Sequence, residues 1–205
     1  MKYIITAALI FCILFIYAFG KKYYNREKEQ MTNIKTKTIY LAGGCFWGMQ
    51  KLTDSLKGVV TTTVGYANGN KDIIPDYKLV CTGTTGYKET VKVDYNPEVI
   101  SLENILKAYF YVIDPSVENE QGNDKGPQYQ TGVYYTDEED LPLINAAADE
   151  VKQTQSVFKV QIAPLTVFYP AEEYHQKYLQ KNPHGYCHIS EGKISSCAAK
   201  FSGKF

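Results

Sequence analysis

Thr38-Ile39-Tyr40-Leu41-Ala42-Gly43-Gly44-Cys45-Phe46-Trp47-Gly48 is the stretch on which both the fold and the chemistry turn. Thr38 to Ala42 reads as a buried strand. The two glycines break it. Phe46, Met49, Leu52, Thr53 and Leu56 then recur at helical spacing, and Gly58 closes that helix. Cys45 therefore stands where a strand hands over to a helix N-terminus. Unpaired amides and the helix dipole favour an anion at such a place. The position predicts a lowered thiol pKa and an enriched thiolate, the nucleophilic form. Phe46 and Trp47 supply an apolar wall beside the sulfur. A merely structural cysteine is the plain alternative, because free Cys is often simply buried. The glycines, the helix start and the aromatic pair together favour the reactive reading.

Outward from this stretch, Val59 to Val64 is β-branched and reads as a strand. Residues 65–86, rich in Gly, Asn, Asp and Thr, read as a long loop, a kind that is usually functional. Val91, Val93 and Tyr95 alternate as on a half-buried strand. Ser101 caps a helix with the apolar stripe Leu102, Ile105, Leu106, Tyr109 and Phe110, and Asp114-Pro115 stops it. A polar loop spans residues 116–130. Val133 to Tyr135 is a strand. Thr136-Asp137-Glu138-Glu139 fits a capping box that opens a helix to Gln155, with Pro142 expected to kink it or delay its start. Residues 157–162 and 165–169 are short strands, and residues 171–179 a short helix. Strands and helices interleave without a strict βαβ repeat. The expected fold is α+β, a two-layer, ferredoxin-like sandwich whose mixed, mostly antiparallel sheet is covered by helices.

The chain has 205 residues, enough for one domain and a short extension. Its 22 basic and 22 acidic residues balance, so no basic face for nucleic acid is implied. The five cysteines, Cys12, Cys45, Cys81, Cys187 and Cys197, include no C-x-x-C pair. That pattern suggests reactive thiols with a partner rather than a disulfide scaffold. Cys81 reads as a buried structural thiol. Cys187 and His188 are adjacent, but two neighbouring ligands without others make a weak metal site, and none is predicted.

Four segments are expected. Residues 1–20 form a hydrophobic signal peptide or membrane anchor, residues 21–37 a polar linker, residues 38–190 the folded domain, and residues 191–205 a mobile cysteine-containing tail. The apolar run 3–19 sits at the lower edge of the ~17–25 residues that span a bilayer. Ala18-Phe19-Gly20 resembles a cleavage site. The basic residues Lys21, Lys22, Arg26 and Lys28 weaken that reading, and by the positive-inside rule could hold the domain in the cytoplasm. Cleaved signal and retained anchor both stay open. A membrane-anchored or exported protein, with the extracytoplasmic side favoured, is the expectation.

Gly44-Cys45-Phe46-Trp47-Gly48 resembles the active-site motif of the peptide methionine sulfoxide reductase A family. Gly65-Tyr66, Pro75-Asp76-Tyr77, Cys81-Thr82-Gly83, Thr85-Gly86-Tyr87-Lys88-Glu89, Gln121-Gly122-Asn123-Asp124-Lys125-Gly126, Gln128-Tyr129 and Asn182-Pro183-His184-Gly185-Tyr186-Cys187 agree with that family in the same order. The resemblance implies that Cys45 attacks the sulfur of methionine S-sulfoxide and is left as a sulfenic acid, with which a second thiol can condense. It implies that Glu89 gives a proton to the sulfoxide oxygen, and so must bind substrate protonated, its pKa raised by partial burial. Tyr77 and Tyr129 match the hydroxyls that hold that oxygen. Phe46 and Trp47 match the methyl pocket, and Asp124 a further polar residue of the site. Cys187 matches the resolving cysteine, with Cys197 as a second. His175 resembles a residue that lines the site or supports it. The implied partners are oxidised proteins and a thioredoxin-like electron donor. No cofactor is implied, and a monomer is expected.

Read singly, Glu89 is a strand-end acid, and Tyr77 and Tyr129 are loop tyrosines; only their joint match changes that. Two other functions compete. A Cys-His hydrolase or acyltransferase, with Cys45 activated by a histidine such as His175, needs no Cys187. A non-catalytic, membrane-tethered binding protein using Phe46 and Trp47 needs no thiol at all.

Overall fold

The computed structural model describes residues 35–203 together with Gly20. The expected signal or anchor, and nearly all of the linker, lie outside the described residues. Among the described residues no helix is long and apolar enough to cross a membrane. Thr36–Phe205 forms one compact unit, so the folded domain runs past its expected end at residue 190.

Strand β1 (Lys37–Ala42) leads into helix α1 (Phe46–Asp54) through the two glycines. Gly44 has φ +81°, and a Cβ there would stand 2.6 Å from Gln121 Cβ, so glycine is demanded twice over at the turn before the cysteine. Strand β2 (Val59–Ala67), helix α2 (Tyr77–Cys81), strand β3 (Lys88–Tyr95) and helix α3 (Leu102–Val112) follow. Then come a small hairpin, β4 (Glu120–Gln121) with β5 (Asp124–Lys125), and strand β6 (Gly132–Tyr135). Helix α4 (Leu141–Lys152), strands β7 (Gln161–Pro164) and β8 (Phe168–Pro170), and helices α5 (Tyr178–Lys181) and α6 (Glu191–Phe201) complete the chain.

The main sheet has the order β7-β6-β1-β3-β2-β8. Its centre, β1-α1-β2-β3-α3-β6 with spatial order β6-β1-β3-β2, is the ferredoxin-like arrangement expected. All its pairings are antiparallel except β6 with β7, so the sheet is mixed and mostly antiparallel. Registered pairs such as Ile39 with Val93 and Leu41 with Val91 share one face. That face carries the large core, where Val64, Val91 and Val133 meet Met49 and Leu52 of α1, Ile105 and Tyr109 of α3, Ile144 of α4 and Ile194 of α6. The opposite face holds a small cluster of Tyr40, Ala42, Ala67 and Tyr134.

Several expectations change where long-range pairing supplies hydrogen bonds that no local pattern shows. β2 continues three residues past Val64, because Gly65, Tyr66 and Ala67 pair with β3 on one side and β8 on the other. The loop after it contains α2, capped by Asp76, whose Oδ1 accepts the Leu79 amide at 2.8 Å. Residues 171–172 are irregular and residues 173–177 are turns, rather than a helix. The Ala171 amide donates to Val64 O, and the Gln176 side chain pairs with both the amide and the carbonyl of Val64. Lys177 is left-handed, with φ +54°. α4 begins at Leu141 behind a short 3-10 turn, with Pro142 in its first turn, where its missing N–H costs nothing. The tail expected to be mobile is α6. Ser190 caps it, and Ile194, Cys197 and Phe201 are buried along one side, much of it against α3. Its apolar residues fall at i, i+3 and i+7, a helical stripe within a Gly- and Ser-containing composition.

Candidate active site

The Cys45 thiol sits at the end of β1, held from behind by α3: the Tyr109 hydroxyl donates to the Ala42 carbonyl at 2.8 Å. Its sulfur accepts from the amides of Trp47 and Gly48, the first turn of α1. Those bonds favour the thiolate, as the helix-start reading requires. They do not win. Cys45 is 6% exposed, and burial, followed by the Glu89 carboxylate, pushes the thiol well above the ordinary cysteine range. The lowered pKa expected from the helix terminus is therefore corrected: in the free enzyme this is a protonated thiol. Two amide dipoles are outweighed by loss of water, the largest effect at this thiol.

Glu89 comes from β3, opposite Tyr66 of β2, on the core face. It is 1% exposed, and its Oε2 accepts the Phe46 amide at 2.9 Å. Burial lifts the carboxyl to about 8; the Phe46 bond opposes this and the nearby Asp124 charge assists it. At neutral pH the group holds its proton, in deeper burial than the partial burial expected. A protonated Glu89 also removes the charge that opposes thiolate formation at Cys45.

Tyr77 and Tyr129 reach the same place from two loops. Tyr77 opens α2; its amide donates to Glu172 Oε1 at 2.9 Å, and Glu172 Oε2 accepts the Tyr66 hydroxyl at 2.7 Å. Tyr129 ends the short 3-10 turn Pro127–Tyr129. Burial raises both phenols, and Glu89 is the next contributor to each. Tyr129 also senses Cys45 and Asp124. The structure thus gathers Cys45, Glu89, Tyr77, Tyr129 and Asp124 around one carboxyl. Asp124, on β5, accepts the Tyr186 hydroxyl through Oδ2 at 3.1 Å. Cys81 is exposed rather than buried, because α2 lies on the surface, and its thiol is hydrogen-bonded to the Tyr77 hydroxyl.

Phe46 is buried, its ring 5.1 Å from His175. Trp47 stacks on Tyr178 at 3.8 Å and donates from Nε1 to His175 Nδ1 at 3.1 Å. His175 also lies against Tyr77, centroids 4.5 Å apart. Gln50 docks this segment on α1, its Oε1 accepting the Lys177 amide at 2.7 Å. The result is an aromatic wall beside the thiol. The Nδ1 of His175 accepts from the indole, and the Cys45 sulfur accepts from amides; among the described residues no histidine is hydrogen-bonded to it, as a Cys-His dyad would require.

Cys187 donates to Ile189 O at 3.0 Å. A methyl group placed on Gly48 would stand 3.2 Å from its sulfur and 2.9 Å from His188 Nδ1. Gly48 is three residues after Cys45, one turn along α1, so the absent side chain lets Cys187 approach the turn that carries Cys45. Cys197 is elsewhere. It is fully buried in α6, with its sulfur 3.6 Å from Ala108 O of α3. The expected second resolving role would require α6 to unpack. Glu172 escaped sequence reasoning about the site. Tyr66 and Tyr186 stood inside matched motifs without a role, and His188 was weighed only as a weak metal ligand.

Residues 37–203 match the protein family Peptide methionine sulfoxide reductase. A relative from Clostridium botulinum (strain Okra / Type B1), Peptide methionine sulfoxide reductase MsrA, is 51% identical over 154 residues, 75% of this chain and 98% of its own. The solved structure of Mxr1 from Saccharomyces cerevisiae in reduced form has a TM-score of 0.73 at 38% identity, covering 77% of this chain and 93% of that one. The structure of Mxr1 in complex with Trx2 has a TM-score of 0.51 at 28% identity, covering 71% and 86%. With the family match spanning nearly all of the described fold, and a protonated carboxyl set beside a buried thiol, the chain belongs to the peptide methionine sulfoxide reductase family, enzymes that reduce methionine sulfoxide.

Proposed function

We propose that Cys45 attacks the sulfur of methionine S-sulfoxide, free or in a peptide, while Glu89 gives its proton to the sulfoxide oxygen. Tyr77 and Tyr129 steady that oxygen through their hydroxyls, Phe46 and Trp47 receive the methyl group, and Asp124 shapes the polar side. The oxygen passes to Cys45 as a sulfenic acid and methionine departs. Cys187 then condenses with it, expelling water and forming the Cys45–Cys187 disulfide, which a thioredoxin reduces by exchange. Cys197 is left out of this relay. The Mxr1–Trx2 complex supports the choice of donor. The observation that carries the reading is the buried Glu89 carboxyl, proton-bearing at neutral pH and bonded to the amide next to the nucleophile. A general acid needs that protonation state where it acts.

The test is turnover of separate R and S substrates with thioredoxin. Cys45→Ser is expected to abolish reduction. Cys187→Ser is expected to release one methionine per enzyme and then stop. Equal rates on both epimers, or steady thioredoxin-dependent turnover by Cys187→Ser, would remove the corresponding part.

We further propose that residues 3–19 direct a monomeric enzyme to a membrane, facing the extracytoplasmic side, with residues 38–205 active without them. The apolar run between Lys2 and Lys21 supports the targeting, while the four basic residues that follow it count against the extracytoplasmic side. Fractionation that finds the whole chain in the soluble cytosol would refute it, and mass spectrometry of the mature N-terminus separates cleavage from retention.

A further inference from the structure

Resolution of a sulfenic acid on Cys45 asks for a base. The attacking sulfur must lose its proton, because the thiolate is the nucleophile. Burial pushes the Cys187 thiol above the ordinary cysteine range, against the opposing effects of its bond at Ile189 and of Lys51. At neutral pH that thiol is almost wholly protonated.

His188 is the neighbour equipped to take the proton. Its Nε2 lies 3.0 Å from the Gly43 carbonyl oxygen. A carbonyl only accepts, so Nε2 carries the hydrogen, and in the neutral ring Nδ1 keeps its lone pair. That Nδ1 is enclosed and has no hydrogen-bond partner among the described residues. An unpaired buried acceptor costs free energy, so one that persists calls for an explanation. Burial also holds the ring below the usual histidine range, which keeps it neutral at pH 7. Nδ1 and the Cys187 sulfur converge on one point, the place where a Cβ on Gly48 would stand, at 2.9 and 3.2 Å. From β5 the Asp124 carboxylate favours the charged ring, while Lys193 of α6 opposes it. Around the thiol stand Lys51, Glu191 and Asp124, with Tyr186 beside them.

We propose that His188 is the base of the resolving step: its Nδ1 takes the thiol proton of Cys187 as that sulfur attacks the Cys45 sulfenic acid, and Asp124 steadies the imidazolium. The proposal rests on the reading of Cys187 as the resolving cysteine. In the reduced enzyme the thiol donates to Ile189 O at 3.0 Å, and the step requires its S–H to turn from that carbonyl to the ring. The S–S bond forms as the Cys45 S–O bond breaks. The proton held on Nδ1 goes to the departing hydroxide, which leaves as water. The sulfenic sulfur is reduced and the thiol sulfur oxidised to the common disulfide level, so no outside oxidant or reductant enters.

The experiment follows Cys45–Cys187 disulfide formation, as loss of free thiols after one equivalent of methionine sulfoxide, between about pH 5 and about pH 10. His188→Gln keeps an N–H for the Gly43 carbonyl and has no titrating base; His188→Asn is the second variant. Both are expected to release methionine as the wild type does. At pH 7 both are expected to form the disulfide roughly 10²-fold more slowly. The deficit is expected to shrink as pH rises toward the thiol's own range, where no base is needed. Disulfide formation at the wild-type rate, or slowing by one constant factor at every pH, overturns the proposal. Loss of methionine release in both variants overturns it too, since His188 would then be a support for Cys45. Thioredoxin-dependent turnover by Cys187→Ser brings down the resolving assignment and this proposal together. A blocked Cys187→Ser beside a normal His188→Gln overturns this proposal alone.

Discussion

Glu89→Gln separates what the buried carboxyl does for the chemistry from what it costs the fold. Burial carries this group from 4.5 to about 8. An acid whose folded pKa lies above its unfolded value keeps its extra proton in the native state. Stability is then fully present below about 4.5, falls as pH rises, and levels off above about 8. At pH 7 the unfolded carboxyl is ionised and the folded one is still mostly protonated. The roughly 2.5 units between 4.5 and 7 correspond to on the order of 3 kcal/mol, at about 1.4 kcal/mol per unit. Glutamine has the same shape, carries no charge, and keeps an oxygen for the Phe46 amide, now 2.9 Å from Oε2. The expected result is a variant more stable than the wild type at pH 7, by up to about 3 kcal/mol in urea titration. The gain should fade to nothing near pH 4, where both states of the wild type are protonated. In the same variant, single-turnover release of methionine should slow by about 10²–10⁴-fold, with substrate binding little changed, because an amide has no proton to give. A stability difference that does not vary with pH would refute burial as the source of the raised pKa. An unchanged rate of methionine release would remove Glu89 from the reaction.

Gly48→Ala puts a methyl group 2.9 Å from His188 Nδ1 and 3.2 Å from the Cys187 sulfur, so it should slow disulfide formation while stopped-flow release of methionine stays near normal. Trp47→Phe loses the bond to His175 Nδ1, worth about 0.5–1.5 kcal/mol, and frees the ring that packs on Tyr77. A lower melting temperature with a raised KM is expected, and an unchanged KM would detach Trp47 from substrate binding. Cys197→Ser should turn over with thioredoxin as the wild type does yet unfold at lower urea, since the thiol fills a buried site in α6; lost turnover in a folded variant would restore a three-thiol relay.

Much was legible locally. A strand, two glycines and a helical stripe announced Cys45 at a helix start, and β1 and α1 meet there as expected. Ser101 announced α3, and its side chain accepts the Asn104 amide at 3.2 Å. The alternation of Val91, Val93 and Tyr95 announced β3. These signals survive because strand and helix periodicities are set by backbone geometry within a few residues. α2 went unread within a segment taken as loop, since a five-residue helix on the surface has no room for a stripe.

Other properties belong to atoms that the chain brings together from far away. The thiol of Cys45 has its amide donors within three residues, which any reading of the sequence finds. The carboxyl that opposes them lies 44 residues on, and the burial that dominates comes from the tertiary packing. A pKa sums solvent exclusion and charge over every neighbour, so the local terms alone indicated the wrong direction. The tail failed for a related reason. Ile194, Cys197 and Phe201 become a helix face once α3 offers them a surface, and a helix this short owes its stability mainly to such packing. By itself the sequence placed Cys45 at a helix start and named the side chains that the fold gathers around it. Tertiary structure alone decided the protonation of that thiol, the removal of Cys197 into the core, and the meeting of Cys187 and His188 over Gly48, because each depends on packing between segments that no local pattern records.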